Sequence, residues 1–326
     1  MAQHDSAATP LKRILLCQPR GFCAGVERAV QIIDELVRRS GETVYVRKEV
    51  VHNRVVVDEF RRRGVVFVDD VEDAPEAALL VFSAHGIAPE VRQRALKREQ
   101  RTIDAVCPLV VKVHREVSRF VEAGYHVLLI GHAGHEEVDG TMGHGAGRVT
   151  LIQNEAEAEA FEPASGETLA LVSQTTLAVS EVQRVIDVLQ RRFPKIHLPA
   201  KSDICYATEN RQAAVRAMAP DCDVILVIGS SNSSNSRSLR DAAGEGGRPA
   251  YLIDDPAAIV PAWLDGVTTL GVTAGASTPE TLVADVIERV RQLDPGFATL
   301  ASFGTGEPAM TFRPPRELAA LLAPNS

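Results

Sequence analysis

Three of the five cysteines, Cys23, Cys107 and Cys205, each stand just before a segment with a helical pattern, and 84 and 98 positions separate them. The start of a helix carries unpaired N–H groups and partial positive charge, which stabilise a thiolate or an anionic centre that it ligates. Three such thiolates, one per stretch the length of a small α/β unit, predict a metal centre where three units meet. Three ligands rather than four leave one coordination position open for chemistry. A cysteine taken alone is more often a small buried hydrophobe. Cys17, among aliphatic neighbours, and Cys222, between Asp221 and Asp223, are read that way.

A second set of chemical groups falls where apolar runs stop. Leu79–Phe82 is followed by Ser83-Ala84-His85-Gly86, and His126–Ile130 by Gly131-His132-Ala133-Gly134-His135-Glu136-Glu137. Leu169–Val172 leads into Ser173-Gln174-Thr175-Thr176, Val224–Ile228 into a Ser/Asn-rich loop through Ser236, and Thr269–Val272 into Thr273-Ala274-Gly275-Ala276-Ser277. Ligands of open parallel sheets bind at the carboxyl ends of the strands. Hydroxyls, amides and backbone N–H groups at helix starts suit a phosphate or diphosphate. A Ser/Asn loop by itself is ordinary turn and cap chemistry; its density after an apolar strand is what points to an anion. Neither a Walker lysine motif nor G-x-G-x-x-G is present, so the loops are not a familiar nucleotide site. His52, His85 and His135 could add donors or charge for an anion, and Glu137 sits where a proton donor is plausible.

These groups must be positioned by the alternation of β-branched runs and helical patterns along the chain, which predicts parallel sheets with crossover helices. The expected fold is α/β, in three similar units: 12–106 with Cys23, 107–204 with Cys107 and Glu137, and 205–295 with Cys205 and the Ser/Asn loop. A Pro-bearing tail, 296–326, follows.

Composition bounds the function. A chain of 326 residues is long enough for two or three cores. Hydrophobic residues at 45% and charged residues at 24% are those of a soluble globular protein. A net charge of -8 argues against nucleic acid as a partner. No apolar run approaches the roughly 20 residues of a membrane span. The opening MAQHDSAATP lacks a basic-then-apolar signal pattern, and five cysteines without close regular spacing do not form a secreted disulfide framework. A reducing cytoplasm is the expected setting.

At these same residues the chain resembles the 4-hydroxy-3-methylbut-2-enyl diphosphate reductases, which close the methylerythritol phosphate route to isoprenoids. The segments carrying the resemblance are PRGFCAGVERA, EVVHNRVVVDEF, FSAHGIAPEVR, DAVCPLVVKVH, GHAGHEEVDGTMG, SQTTL, DICYATENRQ, GSSNSSNS and TAGASTPE, in that order. The resemblance implies three α/β domains in pseudo-threefold arrangement around a central iron–sulfur cluster. It implies that Cys23, Cys107 and Cys205 ligate one 4Fe–4S cluster whose fourth iron meets the hydroxyl of an allylic diphosphate. His52, His85, Ser233, Ser234, Asn235 and Ser277 would hold the diphosphate, with His135 nearby. Thr175 would position the hydroxyl end and Glu137 would deliver protons. Reductive dehydroxylation to isopentenyl and dimethylallyl diphosphate is the implied reaction.

One departure is Glu136, where the family pattern often has proline, so that two acids adjoin. No flavin or nicotinamide motif is visible, and the resemblance implies a ferredoxin or flavodoxin donor. Such donors are acidic, so a basic docking face is expected; Arg92, Arg94, Lys97, Arg98 and Arg101 are one candidate. Two other readings compete: quinolinate synthase, also a three-cysteine cluster enzyme, and a non-catalytic redox sensor, which would need neither Glu137 nor the anion loops.

Overall fold

A computed structural model describes residues 12–322. Among them are three all-parallel sheets flanked by helices. Elements are numbered in chain order. The first sheet runs β3-β2-β4-β5, from β2 (Val44–Arg47), β3 (Val66–Val68), β4 (Leu79–Phe82) and β5 (Arg101–Asp104). Around it lie α1 (Ala24–Arg39), α2 (Arg54–Arg62) and α3 (Pro89–Lys97). The second runs β7-β6-β8, from β6 (His126–Ile130), β7 (Val149–Ile152) and β8 (Leu169–Ser173). Its helices are α4 (Pro108–Glu122), α5 (Glu136–Gly143), α6 (Glu155–Ala160) and α7 (Val179–Arg192).

The third sheet is larger, in the order β10-β9-β11-β1-β12. It combines β9 (Val224–Ile228), β10 (Ala250–Ile253) and β11 (Thr269–Ala274) with β1 (Arg13–Cys17) and β12 (Thr299–Phe303). The helices α8 (Tyr206–Met218), α9 (Ser234–Gly244) and α10 (Glu280–Leu293) belong with it, and α11 (Arg316–Leu321) ends the described chain.

Crossover helices cover both faces of each sheet, so the central strands read as unbroken apolar runs rather than alternating ones. β4, β8, β9 and β11 are buried along their whole length. That is why their bounds can be read from the sequence to within two residues.

Two assignments made from sequence change. β1, placed in the first unit by its position, pairs with β11 and β12 of the third sheet. Its Ile14 and Leu16 pack with Leu226, Leu270 and Val286 on one face, and Leu15 and Cys17 with Met218 and Ile225 on the other. α1 then carries the chain to the first sheet, where Ile32, Ile33 and Leu36 meet Val44 and Val81. The tail is also more than a tail. β12 completes an edge of the third sheet and α11 buries Leu318 against the core around α1. β12 is mostly exposed, so burial never imposed an apolar run that would reveal it. The opening ten-residue extension lies outside the described residues.

Candidate active site

Each of the three predicted cysteines is the residue that caps a helix: Cys23 for α1, Cys107 for α4 and Cys205 for α8. None of them uses its side chain as a cap, and none is in a disulfide. All three thiols are left to line one central cavity of about 670 Å³, counted with its open mouth. The other nine residues singled out from sequence line the same cavity: His52, His85, His135, Glu137, Thr175, Ser233, Ser234, Asn235 and Ser277.

A backbone device fixes the convergence. The Cys23 N–H donates to Ala276 O (3.2 Å), the Cys107 N–H to Ala84 O (3.0 Å) and the Cys205 N–H to Thr175 O (3.0 Å). Each acceptor belongs to a strand-end loop: Ala276 precedes Ser277, Ala84 precedes His85, and Thr175 is itself a predicted site residue. Every cysteine is thereby tied to a loop that carries a residue predicted to meet the ligand. The pairing recurs three times, once between each helix start and a loop from another part of the chain.

The donor set fits an iron–sulfur group. Burial pushes the thiols up, Cys107 to about 12 and Cys205 to about 11, and the charge of the neighbouring cysteines adds to both. Burial likewise raises Cys23. A cationic centre bound among the three would hold them as thiolates. The backbone makes room for one. A Cβ at Gly25 would lie 2.7 Å from the Cys107 sulfur and 3.8 Å from that of Cys23, so a side chain there would occupy the space between them. Thr208, one turn into α8, supports Cys205: its hydroxyl lies 3.2 Å from the sulfur and accepts from Asn235 Nδ2 at 3.0 Å. Asn235 Oδ1 in turn accepts the Ala276 N–H at 2.8 Å. Thr208 was not singled out from sequence; its place three residues after a helix-capping cysteine was the available signal.

The histidines form a compact wall. His52 and His85 stack at 4.0 Å between ring centroids, and His135 stands edge-on to them at 5.3 and 5.8 Å. Carboxylates hold two of the rings. His52 Nδ1 lies 3.0 Å from Glu49, and His85 Nδ1 lies 3.1 Å from Glu136. Donating from Nδ1 leaves each Nε2 without a protein partner among the described residues. Glu136, unusual in sequence, thus has the role of orienting His85. His135 Nδ1 instead accepts the Glu137 N–H at 3.1 Å, which assigns the proton to Nε2 and the ring to its neutral state. Burial and the neighbouring histidines push His135 down to about 2 and hold His85 below its usual range. His52, His85 and Glu136 also bring ligand atoms within 4.8 Å of one another, a spacing open to a metal ion.

Glu137 lies in the first turn of a short helix, not in the loop expected from its Gly-rich surroundings. Two glycines in eight residues hide α5 from a propensity reading, yet both lie at close approaches: a Cβ at Gly143 would collide with the Ala88 Cβ, and one at Gly140 would stand 3.2 Å from the backbone of Gly86 and Ile87. Glu137 is 2% exposed. Its Oε1 accepts the Thr175 N–H at 2.7 Å, and its Oε2 pairs with Thr175 Oγ1 at 3.1 Å. Burial outweighs these bonds and pushes the carboxyl up to about 7, where it can hold a proton and still release it.

The hydroxyl loop completes the cavity. Ser233 caps α9, accepting from the Ser236 N–H at 3.3 Å, while Ser277 Oγ donates to His52 O at 3.0 Å. Ser234 Oγ is buried without a partner, an orphan that a bound anion would satisfy. The basic patch read from sequence, by contrast, is largely spent on internal pairs. Arg92 meets Asp104, Arg94 meets Asp70 and Glu72, Arg101 meets Glu42, and Arg98 donates to Ala74 O. Among the described residues no helix is long and apolar enough to cross a membrane.

Comparison with known proteins agrees with this geometry. The profile of the LytB protein family matches residues 14–291. A 4-hydroxy-3-methylbut-2-enyl diphosphate reductase of Rhodococcus opacus is 48% identical over 316 residues, covering 97% of this chain and 94% of its own. One from Marinobacter nauticus is 49% identical, covering 94% and 98%. Among solved structures, the E-1-hydroxy-2-methyl-but-2-enyl-4-diphosphate reductase of Plasmodium falciparum superposes with a TM-score of 0.92 at 32% identity, over 96% of this chain and 98% of that one. The chain belongs to the LytB family.

Proposed function

We propose that this LytB-family chain reduces (E)-4-hydroxy-3-methylbut-2-enyl diphosphate to isopentenyl and dimethylallyl diphosphate, with Cys23, Cys107 and Cys205 holding one 4Fe–4S cluster. The family match favours this oxidoreductase reading over quinolinate synthase and over a non-catalytic sensor. When bound, such a cluster supplies electrons one at a time and an iron without a protein ligand that weakens a C–O bond. In the overall reaction the allylic C–O bond breaks and the oxygen leaves as water. Two electrons and two protons enter, one proton going to the oxygen and one to carbon.

The chain's own residues divide the remaining work. His52, His85 and His135, with Ser233, Ser234, Asn235 and Ser277, bind the diphosphate. Its binding energy fixes the reacting end of a small, flexible substrate. Thr175 positions the hydroxyl end between its own Oγ1 and the Glu137 carboxyl, and Glu137 gives the proton to the departing oxygen. A buried carboxyl poised at about 7 supports that role. Apolar lining by Val26, Val51 and Val110 limits water around the transferred proton.

Electrons come from an external ferredoxin- or flavodoxin-type donor in the cytoplasm. Arg115 and Arg119 are exposed on α4, the helix that Cys107 starts, and neither is in an ion pair among the described residues. They give an acidic donor a less neutralised face than the patch read from sequence. The three units are domains parting near 107 and 205, with β1 and β12 assigned to the third.

The observation that carries this reading is the sharing of one cavity by three free helix-capping thiols, a histidine wall and a carboxyl held near neutrality. Anaerobic turnover of the allylic diphosphate with a reduced donor tests it, with iron and sulfide counted in parallel. Conversion to the two five-carbon diphosphates at close to four irons per chain is expected. A fully loaded cluster without conversion would contradict it.

A further inference from the structure

Behind the cysteines, away from the histidine wall, two arginines are buried: Arg211 on α8 and Arg28 on α1. A buried guanidinium needs partners for its donors, and both arginines spend terminal N–H groups on backbone carbonyls beside the cysteines, while Arg211 Nε is left without a partner. Arg211 Nη2 donates to Gly21 O at 2.8 Å, two residues before Cys23. Arg28 Nη1 donates to Val106 O at 3.0 Å, the residue before Cys107. The other side of each arginine is held by the C-terminal segment. Glu307 Oε1 accepts from Arg211 Nη1 at 2.8 Å and from Asn210 Nδ2 at 3.2 Å. Arg313 O accepts from Arg28 Nε at 2.9 Å.

The segment is anchored on both sides of these contacts. Before them, β12 pairs with β1 in the third sheet. After them, Leu318 of α11 is buried in the core around α1. It therefore straps the third unit to the first across the back of the thiols. Of the charged groups it brings in, Glu307 is the one that meets a buried partner: the ion pair is 1% exposed at Arg211 and 14% at Glu307. Arg211 sits on the helix that Cys205 starts and holds the turn two residues before Cys23, so the ion pair lies beside two of the three thiols.

We infer that Glu307 is a positioning residue of the cluster site, holding Arg211 against the Gly21 turn and masking its charge from the centre at Cys23. The inference rests on the cluster reading above. Adding an electron to a cluster makes it more negative, so an unmasked guanidinium nearby favours the reduced form and raises the potential. With Glu307 in place, the pair is close to neutral and the cluster stays strongly reducing.

Glu307→Gln keeps the shape and an amide oxygen for Arg211 but removes the charge. In anaerobically loaded protein it is expected to hold as much iron as the parent while its midpoint potential, followed by electron paramagnetic resonance, moves upward. Glu307→Ala removes the acceptor as well and is expected to lose iron to a chelator faster than the parent, with Gln restoring the slower rate. A full cluster with unchanged potential in the Gln variant would overturn the charge role. Parent-like iron loss in the Ala variant would overturn the positioning role. Absence of a cluster from the parent itself would instead overturn the reading on which both rest.

Discussion

The histidine wall and the Glu137 corner face one cavity and are shaped by the same force with opposite results. Burial penalises charge. On the wall it drives His85 and His135 down, so both rings are neutral at ordinary pH. At the corner it drives Glu137 up to about 7, so the carboxyl keeps its proton through a large part of the working range. The His85 and His135 rings and the Glu137 carboxyl are thus all uncharged near neutral pH, while Glu49 and Glu136, which brace the rings, stay ionised. An arriving diphosphate changes only one of the two sides. In the proposed function its negative charge pulls protons onto the histidines, while Glu137 remains the group with a proton to give. On that proposal one desolvated pocket takes up protons for binding and donates one for chemistry because its bases and its acid sit at different corners.

Removing the proton from the corner has the largest expected effect. Glu137→Gln keeps the Thr175 contacts but cannot donate to a leaving oxygen as an acid does. It should lower kcat by roughly 10²- to 10⁴-fold with full iron content and little change in KM, measured by anaerobic turnover. A variant with full activity would dissolve the distinction between the two corners. Disturbing the wall should do the converse. His85→Gln loses a hydrogen bond to a charged ligand, worth about 1.5–3 kcal/mol, and should raise KM at least tenfold while leaving kcat nearer the parent value. A loss confined to kcat would move His85 to the chemical side.

A smaller, graded effect follows from proton uptake. Histidines held below their usual range in the free protein are raised by the bound diphosphate, so binding takes up protons. Affinity is fullest at low pH and weakens as pH rises through the histidines' values in the complex. KM should therefore increase with pH, and calorimetry in buffers of different ionisation enthalpy should register proton uptake. Release on binding would reverse the sign and refute the account of the wall. The smallest effect is expected outside the cavity. Charge reversal at Arg115 and Arg119 together should slow reduction by an acidic protein donor several-fold at low salt. Reduction by a small uncharged reductant should be unaffected, and equal slowing of both would remove α4 as the docking face.

The two corners also differ in how far they could be read from sequence. The wall was legible: His85 and His135 stand among small residues where apolar runs end, and strand ends are where parallel sheets bind ligands. All twelve residues chosen for the site line the one cavity. The corner was legible in its residue but not in its support, since α5 is too short and glycine-rich to show a helical period. The groups that hold the site in place were the least visible. Glu136, Arg211 and Glu307 act through contacts 51 to 190 residues apart in sequence, and no local pattern encodes such pairs; Thr208, three residues after Cys205, is the local exception. The same holds for the sheets. Buried central strands announce themselves as apolar runs, whereas the exposed edge strand β12 and the transfer of β1 to the third sheet depend on tertiary pairing that local periodicity cannot report.

The central claim, that burial keeps Glu137 protonated so that it serves as the acid, is tested most directly by the pH profile of kcat for cluster-loaded parent and Glu137→Gln proteins. The folded carboxyl is raised to about 7, so the parent's kcat should be highest below that pH and fall as pH rises through it. The variant should be slow throughout and show no such fall. A parent profile that is flat across pH 7, or a variant that keeps the same fall, would contradict the account.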